Sequence, residues 1–348
     1  MEGDPRPNQP LGIDSESVTR WFGGHVGDAQ PPLGFERAAG GHSNLTYIVT
    51  DAEDARFVLR RPPMGDLLST AHDVTREHDI MAAVAAAGVP VPRMLGVCRD
   101  EAVTGAPFYV MEHLDGVVLH TAADAHALLP STRARARAGE TIVDALVALH
   151  GADIDDVGLG NLSRRDGFLA RQLNRWSAQW DTSRLDDLRG MEELHRWLVE
   201  RRPAESSPYV VHGDFRLGNA LLDRSGTLLG VLDWELCTLG DPLADVAYLA
   251  RSWSTPDARF GGDEVPSALD GFPSAEDLVA RYAAGSGRAL DELDYWMAFT
   301  AWRAAAILGG VYRRYLDGTM GTAPPDLELF RVEVEARMHQ GMQIAHLL

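Results

Sequence analysis

The chain has 348 residues, 45% of them hydrophobic and 24% charged, which is ordinary for a globular protein and enough for two packed cores. Its formal charge of −19 is spread as −8 over residues 1–115, −5 over 116–252 and −6 over 253–348. No basic patch therefore marks a nucleic-acid surface, and nucleic acid is not an expected partner. All 32 basic residues are arginine. Without lysine, a Walker A phosphate loop and Schiff-base chemistry are excluded. The patterns G-x-G-x-x-G, H-E-x-x-H and G-x-S-x-G are absent as well.

The two cysteines, Cys98 and Cys237, are far apart. They make neither a disulfide framework nor a zinc site, and they point to a reduced, cytoplasmic location. Residues 1–10 are acidic and proline-rich, unlike the basic-then-apolar run of a secretory signal. The apolar stretch 298–312 is interrupted by Arg303 and is too short to span a bilayer, so no membrane partner is expected.

Taken in chain order, residues 1–11 read as a flexible tail. Strands are expected at 35–41 and 45–51, around a glycine-rich turn, and at 56–61, where Pro62 and Pro63 stop the run. Thr70 and Asp73 have capping-box spacing for a helix running to Ala87, and Gly88 and Pro90 end it. Two further strands are expected at 94–98 and 107–113. After Gly116 the pattern becomes helical, with candidates at 133–150, 166–180 and 187–201. Short apolar runs at 209–211 and 228–232 enclose a polar loop. Helices are then expected at 242–253, 275–284 (capped by Ser274 with Asp277), 292–316 and 327–345. A β-rich first third followed by an α-rich remainder predicts an α+β protein of two lobes, residues 12–113 and 114–348.

The strongest chemical signal lies in that polar loop, Val211-His212-Gly213-Asp214-Phe215-Arg216-Leu217-Gly218-Asn219. Asp-x4-Asn is the spacing of a kinase catalytic loop, with one carboxylate facing the nucleophile and one neutral oxygen ligand for Mg²⁺. Phosphoryl transfer is mostly positioning and charge neutralisation, so both groups are needed. Fourteen residues beyond Asn219, the apolar run Gly230-Val231-Leu232 ends in Asp233, a hard oxygen donor suited to a hard cation. Asp245 follows in the first turn of the next predicted helix.

HGDFRLGN followed by LDWELCTLGDPLADVAYLA resembles the aminoglycoside phosphotransferase and choline kinase superfamily, which has a protein-kinase-like fold. Within it the chain is most similar to the kinase-like domains fused to some acyl-CoA dehydrogenases. The upstream phrases GGHSNLTY at 40–47, FVLRRPP at 57–63 and PFYVME at 107–112 fit the same branch. The resemblance covers roughly residues 30–320.

It implies a small N-terminal mixed-sheet lobe with one main helix and a larger helical C-terminal lobe. Asp214 would be the catalytic base or hydroxyl-orienting group, and Asn219 and Asp233 the Mg²⁺ ligands. Gly40, Gly41, His42, Ser43 and Asn44 would form the loop over the ATP phosphates. Met111, Glu112 and His113 would receive adenine. His212 and Asp245 would brace the catalytic loop. Glu77 would pair with the basic residue of the third strand, where the superfamily usually has lysine and this chain has Arg60. A guanidinium keeps the charge but differs in reach and fork geometry.

The activity implied is transfer of the γ-phosphoryl group of ATP to a small-molecule hydroxyl. The closest branch suggests a hydroxy acid or hydroxyacyl-CoA as acceptor rather than an aminoglycoside. The alternative is a nucleotide-binding regulatory module without turnover, motivated by Arg60. Trp296, Trp302 and Tyr312 fall in a helix apolar nearly all round, which reads as core.

Overall fold

Leu45–Thr50 alternates buried and half-buried residues along its length, as a strand with one face in a core must. The computed structural model describes residues 10–27, 29–38, 44–64, 73–185, 188–205, 207–255, 264–318 and 327–348. In it, β1 (Gly34–Arg37), β2 (Leu45–Thr50), β3 (Arg56–Arg61), β4 (Met94–Cys98) and β5 (Phe108–Glu112) form one sheet in the order β1-β2-β3-β5-β4. Every neighbouring pair is antiparallel, with Leu45 opposite Arg61 and Arg60 opposite Tyr109. The five expected strands all occur, the first ending earlier than expected, at Arg37.

One helix was not expected. α1 (Ser15–His25) starts at Asp14, whose carboxylate accepts from the Ser17 N–H at 3.0 Å. Val18 and Phe22, one turn apart, are fully buried. With Ile13 and Val26 they pack on Leu45, Tyr47, Val49, Leu59, Phe108 and Val110. The signal was present as an Asp cap and an i, i+4 apolar pair, but Gly23 and Gly24 weaken the helical pattern. Leu11, assigned to the tail from sequence, accepts a hydrogen bond from the Tyr47 hydroxyl.

α2 (Val74–Ala86) is capped by Asp73, which accepts from the N–H groups of Thr75 and Arg76, each at 3.0 Å. The expected cap partner Thr70 lies outside the described residues. Ile80, Met81 and Val84 are buried on this helix, and so is Glu77.

Strand alternation sorts the adjacent arginines of β3. Leu59 and Arg61 point to the α1 side, where Arg61 is 2% exposed and its guanidinium donates to the carbonyls of Gly12, Pro62 and Thr104. Arg60 points the other way, toward Glu77 of α2.

By contact, Met1–Asp115 together with Leu229–Glu235 form one unit, and Gly116–Leu228 with Leu236–Leu348 form the other. The chain thus leaves the second unit for seven residues that include Asp233 and then returns. Within the first unit this excursion is anchored by Val231, whose N–H donates to the Pro90 carbonyl at 2.8 Å.

The second unit contains α3 (Ala122–Leu128), α4 (Thr132–Gly151), α5 (Phe168–Ser183), α6 (Gly190–Glu200), α7 (Leu243–Ser254), α8 (Ala275–Ser286), α9 (Leu293–Leu316) and α10 (Leu327–Ile344). α9 is its spine, packing on α5, α7 and α10 with Trp296, Phe299 and Trp302 buried. The Ser274–Asp277 capping box forms as expected. α3 was not expected, although Thr121 and Asp124 make a complete capping box for it. Strands β6 (Tyr209–Val211) and β9 (Thr238–Gly240) pair antiparallel and frame the polar loop, and β7 (Ala220–Leu222) and β8 (Leu228–Val231) follow it. No helix among the described residues is long and apolar enough to cross a membrane. Cys98 and Cys237 are both buried, and neither is in a disulfide among the described residues.

If α1 contributes to this core, Phe22→Ala should lower stability by about 3–5 kcal/mol in urea or thermal unfolding. A loss below about 1 kcal/mol would show that α1 does not pack as described.

Candidate active site

In the second unit, β6 ends at Val211 and the chain turns through His212 and Gly213 into Asp214. The turn needs Gly213: its φ is +85°, and a Cβ there would lie 2.9 Å from the Leu236 carbonyl oxygen. The turn is held from below by Asp245 in the first turn of α7. Its carboxylate accepts from the His212 N–H at 2.7 Å and from the Gly213 N–H at 2.8 Å. Asp245 is 1% exposed, so these bonds replace the water that a buried carboxylate loses.

His150, at the end of α4, extends the network. Its Nε2 is 3.4 Å from Asp245, and its Nδ1 is 2.8 Å from the Tyr282 hydroxyl on α8. Burial pushes the Tyr282 phenol up to about 12, which keeps it neutral. His212 is fully buried; its Nδ1 accepts from the Asp214 N–H at 3.2 Å, and its ring meets Phe215 edge-on.

Asp214 emerges from this base with its carboxylate oriented by neighbours. Asn219, on a short 3₁₀ turn, donates its side-chain amide to both the carbonyl and the carboxylate of Asp214, each at 2.8 Å. Its two amide protons are therefore directed at Asp214, which turns the amide oxygen, the metal-binding end, elsewhere. Arg216 Nε approaches the Asp214 carboxylate at 3.4 Å. From α9, Arg303 donates to the Gly213 carbonyl at 3.0 Å. Its guanidinium lies 5.3 Å from the Trp176 ring and 5.6 Å from the Tyr248 ring. Arg175 shares the Trp176 ring and Arg251 the Tyr248 ring. The second unit thus gathers His212, Asp214, Asn219 and Asp245 in one place.

The first unit gathers a second set. Arg60 Nε lies 3.0 Å from Glu77 Oε2, and a terminal nitrogen of Arg60 lies 3.3 Å from Asp233 Oδ1. Glu77 is 2% exposed. The Tyr109 hydroxyl and the Trp234 backbone N–H both favour its charged form. Burial alone would pull the Arg60 guanidinium down, but the acidic groups around it, Glu77 first, hold it above its ordinary range. Burial pushes the Glu77 carboxyl up, against the pull of Arg60. Asp233 has φ +66°, an uncommon left-handed conformation for a residue other than glycine.

Of the expected phosphate loop, Gly40, Gly41, His42 and Ser43 lie outside the described residues. Asn44 is 5% exposed, and its Oδ1 is buried without a hydrogen-bond partner. Met111 and Glu112 end β5 opposite Val58 and Phe57. The Glu112 carboxylate accepts from the Arg93 N–H at 2.7 Å, and the Glu112 N–H donates to the Arg93 carbonyl at 3.0 Å. His113 follows, its imidazole pulled down first by burial and then by Arg56.

Among the described residues, no group of three or more His, Cys, Asp or Glu side chains could hold a metal ion. Mg²⁺ bound with a nucleotide needs no such cage, because one or two protein oxygens, waters and phosphates complete its octahedron. Asp233 in the first unit and Asn219 in the second each carry a side-chain oxygen of that kind.

Tyr109, His150, Arg216 and Arg303 were not singled out as site residues from the sequence. Arg216 lies inside the motif itself, and His150 closes a predicted helix. Tyr109 and Arg303 carried no signal beyond apolar surroundings.

A model of the phosphotransferase enzyme family matches residues 34–303. The chain is 35% identical over 320 residues to acyl-CoA dehydrogenase family member 10 of Mus musculus, covering 90% of this chain and 30% of that protein. It is 34% identical to acyl-CoA dehydrogenase family member 11 of Gallus gallus, covering 82% of this chain and 37% of that protein. The chain therefore spans about a third of the length of these relatives.

Among solved structures, it is similar to a Ralstonia eutropha protein provisionally named an aminoglycoside phosphotransferase. The TM-score is 0.82 at 30% identity, over 96% of this chain and 98% of that one. The aminoglycoside phosphotransferase APH(4)-Ia, solved with AMP-PNP and hygromycin B, shares the fold at TM-score 0.58 and 17% identity, over 94% of this chain and 98% of that one. The chain belongs to the phosphotransferase enzyme family, and its fold is the two-lobed, kinase-like α+β fold of that family.

Gly213→Ala should unseat the Asp214 turn, lowering stability by about 1–3 kcal/mol and phosphotransfer by at least about tenfold. Unfolding curves and ADP formation measure the two effects. Wild-type values for both would mean the turn tolerates a Cβ.

Proposed function

We propose that the chain is an ATP- and Mg²⁺-dependent phosphotransferase that moves the γ-phosphoryl group to a hydroxyl of a small molecule. The observation that carries this reading is the Asp214 carboxylate, hydrogen-bonded to Asn219 on a turn that Asp245 holds rigid. Asp214 orients the acceptor hydroxyl and takes its proton. Asn219 and Asp233 supply oxygen ligands to Mg²⁺, which would neutralise charge on the phosphate oxygens. Arg60, set by Glu77, contributes positive charge toward the phosphates. Asn44, with its unsatisfied buried oxygen, belongs with Gly40–Ser43 to the phosphate-covering loop. The backbone of Met111–His113 receives the adenine.

The acceptor is read from the charge around Asp214. Although the chain is strongly acidic overall, the side chains near the catalytic turn include Arg216 and Arg303, with Arg175 and Arg251 on the same two rings as Arg303. A polycationic aminoglycoside would be repelled there, and an acceptor bearing a carboxylate or phosphate would be attracted. A hydroxy acid or hydroxyacyl-CoA fits this charge, and the acyl-CoA dehydrogenase relatives favour the same choice.

A second reading, a nucleotide-binding regulatory module without turnover, draws on Arg60 lying against Asp233. Retention of Asp214 with its Asn219 partner weighs against it, because binding alone requires neither.

Asp214→Asn should abolish acceptor-dependent ADP formation, by about 10³-fold or more, with an unchanged melting temperature. Full activity in that variant would end the proposal. In a panel of acceptors, hydroxy acids or their CoA thioesters should stimulate ADP formation, and hygromycin B should not. The reverse pattern would overturn the anionic-acceptor reading and leave the phosphotransferase assignment standing.

A further inference from the structure

Three groups converge on the Asp245 carboxylate. One of its oxygens accepts from the Gly213 N–H at 2.8 Å. The other accepts from the His212 N–H at 2.7 Å and also faces His150 Nε2 at 3.4 Å. The same imidazole places Nδ1 2.8 Å from the Tyr282 hydroxyl. His150 is fully buried and Tyr282 is 1% exposed, so bulk water reaches neither nitrogen.

A neutral imidazole carries hydrogen on one nitrogen, and the bond made by the other decides which. An ionised carboxylate only accepts, so a favourable contact with Asp245 needs the hydrogen on Nε2. Nδ1 is then the acceptor for the Tyr282 O–H. Burial pushes that phenol up to about 12, so it stays protonated and able to donate. Arg288 donates to the backbone carbonyl of His150 at 2.8 Å, which holds the main chain but not the hydrogen of the ring. The other tautomer would turn a ring lone pair toward the very oxygen that holds the His212 N–H. In a site closed to water that repulsion is weakly screened, and the carboxylate would rotate away from the turn.

We propose that Tyr282 is a positioning residue for phosphoryl transfer. Its hydroxyl fixes the Nε2–H tautomer of His150, which keeps a donor against Asp245 and so keeps the Asp214 turn in place. The inference rests on the phosphotransferase reading. It adds a residue of α8 that acts on the turn only through His150 and Asp245.

The test is Tyr282→Phe, which keeps the ring and removes only the hydroxyl. Long-range proton–nitrogen correlation spectra of the histidine-labelled chain read the tautomer directly, with the His150 signals identified as those lost in His150→Gln. The unaltered protein should show hydrogen on Nε2 alone, and Tyr282→Phe a mixture of both tautomers. With the most active hydroxy acid as acceptor, kcat in Tyr282→Phe should fall about tenfold, while both KM values change by less than about twofold. Tyr295→Phe is the control, because it deletes another buried hydroxyl, one that donates to the Leu198 carbonyl at 2.7 Å. It should lower the melting temperature by a similar amount and leave kcat unchanged. Hydrogen on Nδ1, or on both nitrogens, in the unaltered protein would overturn the inference. So would an unchanged tautomer or an unchanged kcat in Tyr282→Phe, or an equal loss of kcat in Tyr295→Phe. Absence of acceptor-dependent ADP formation in the unaltered protein would instead overturn the phosphotransferase reading, whatever the spectra show.

Discussion

A carboxylate that is 1% exposed cannot remain charged without partners, and Asp245 finds them in two consecutive backbone N–H groups. That requirement organises the second unit. To present both N–H groups to one carboxylate, the chain at His212 and Gly213 must turn sharply, and the turn is possible because Gly213 accepts a positive φ. The next residue is Asp214. Its carboxylate is then oriented by Asn219, five residues on, so the proposed catalytic group is held at both ends of a short loop. The wider network through His150 and Tyr282 ties this loop to α4 and α8, elements distant in sequence. A well-braced base under one carboxylate that is 17% exposed is what a reaction dominated by positioning requires.

The first unit solves a different electrostatic problem. Two carboxylates, Glu77 and Asp233, converge on one guanidinium in a partly desolvated setting. Arginine suits this arrangement because its several N–H groups can address two acids at once. Strand alternation makes the assignment between neighbouring arginines. On β3, Arg60 faces the acids while Arg61 faces the α1 core and binds backbone carbonyls. Asp233 reaches its place only because seven residues from late in the chain pack into the first unit. Its left-handed backbone carries a local strain of roughly 1–3 kcal/mol, offset by the contacts of the strand before it and of Trp234 after it.

Composition, spacing and pattern determined a good deal by themselves. The absence of lysine excluded whole enzyme classes, and the Asp-x4-Asn loop with the later Leu-Asp-Trp-Glu block identified the family. Short apolar runs bounded by turn residues and prolines located all five strands of the first sheet. The α1 and α3 helices escaped for a physical reason: they are short, Gly23 and Gly24 interrupt one, and their stability comes from packing rather than propensity. Local sequence cannot report what a distant sheet will cover.

The same distinction divides the candidate site. Asp214, Asn219, Asp233 and Asp245 were legible from their spacing along the chain, and Arg60 and Glu77 only through the resemblance to a known family. The tertiary structure alone decided that His150 sits beneath Asp245 and that Arg303 reaches the Gly213 carbonyl. These are contacts between residues 90 and 95 positions apart, set by helix packing. A motif records the groups that must lie near one another in sequence; the groups that support them from behind can come from anywhere in the fold.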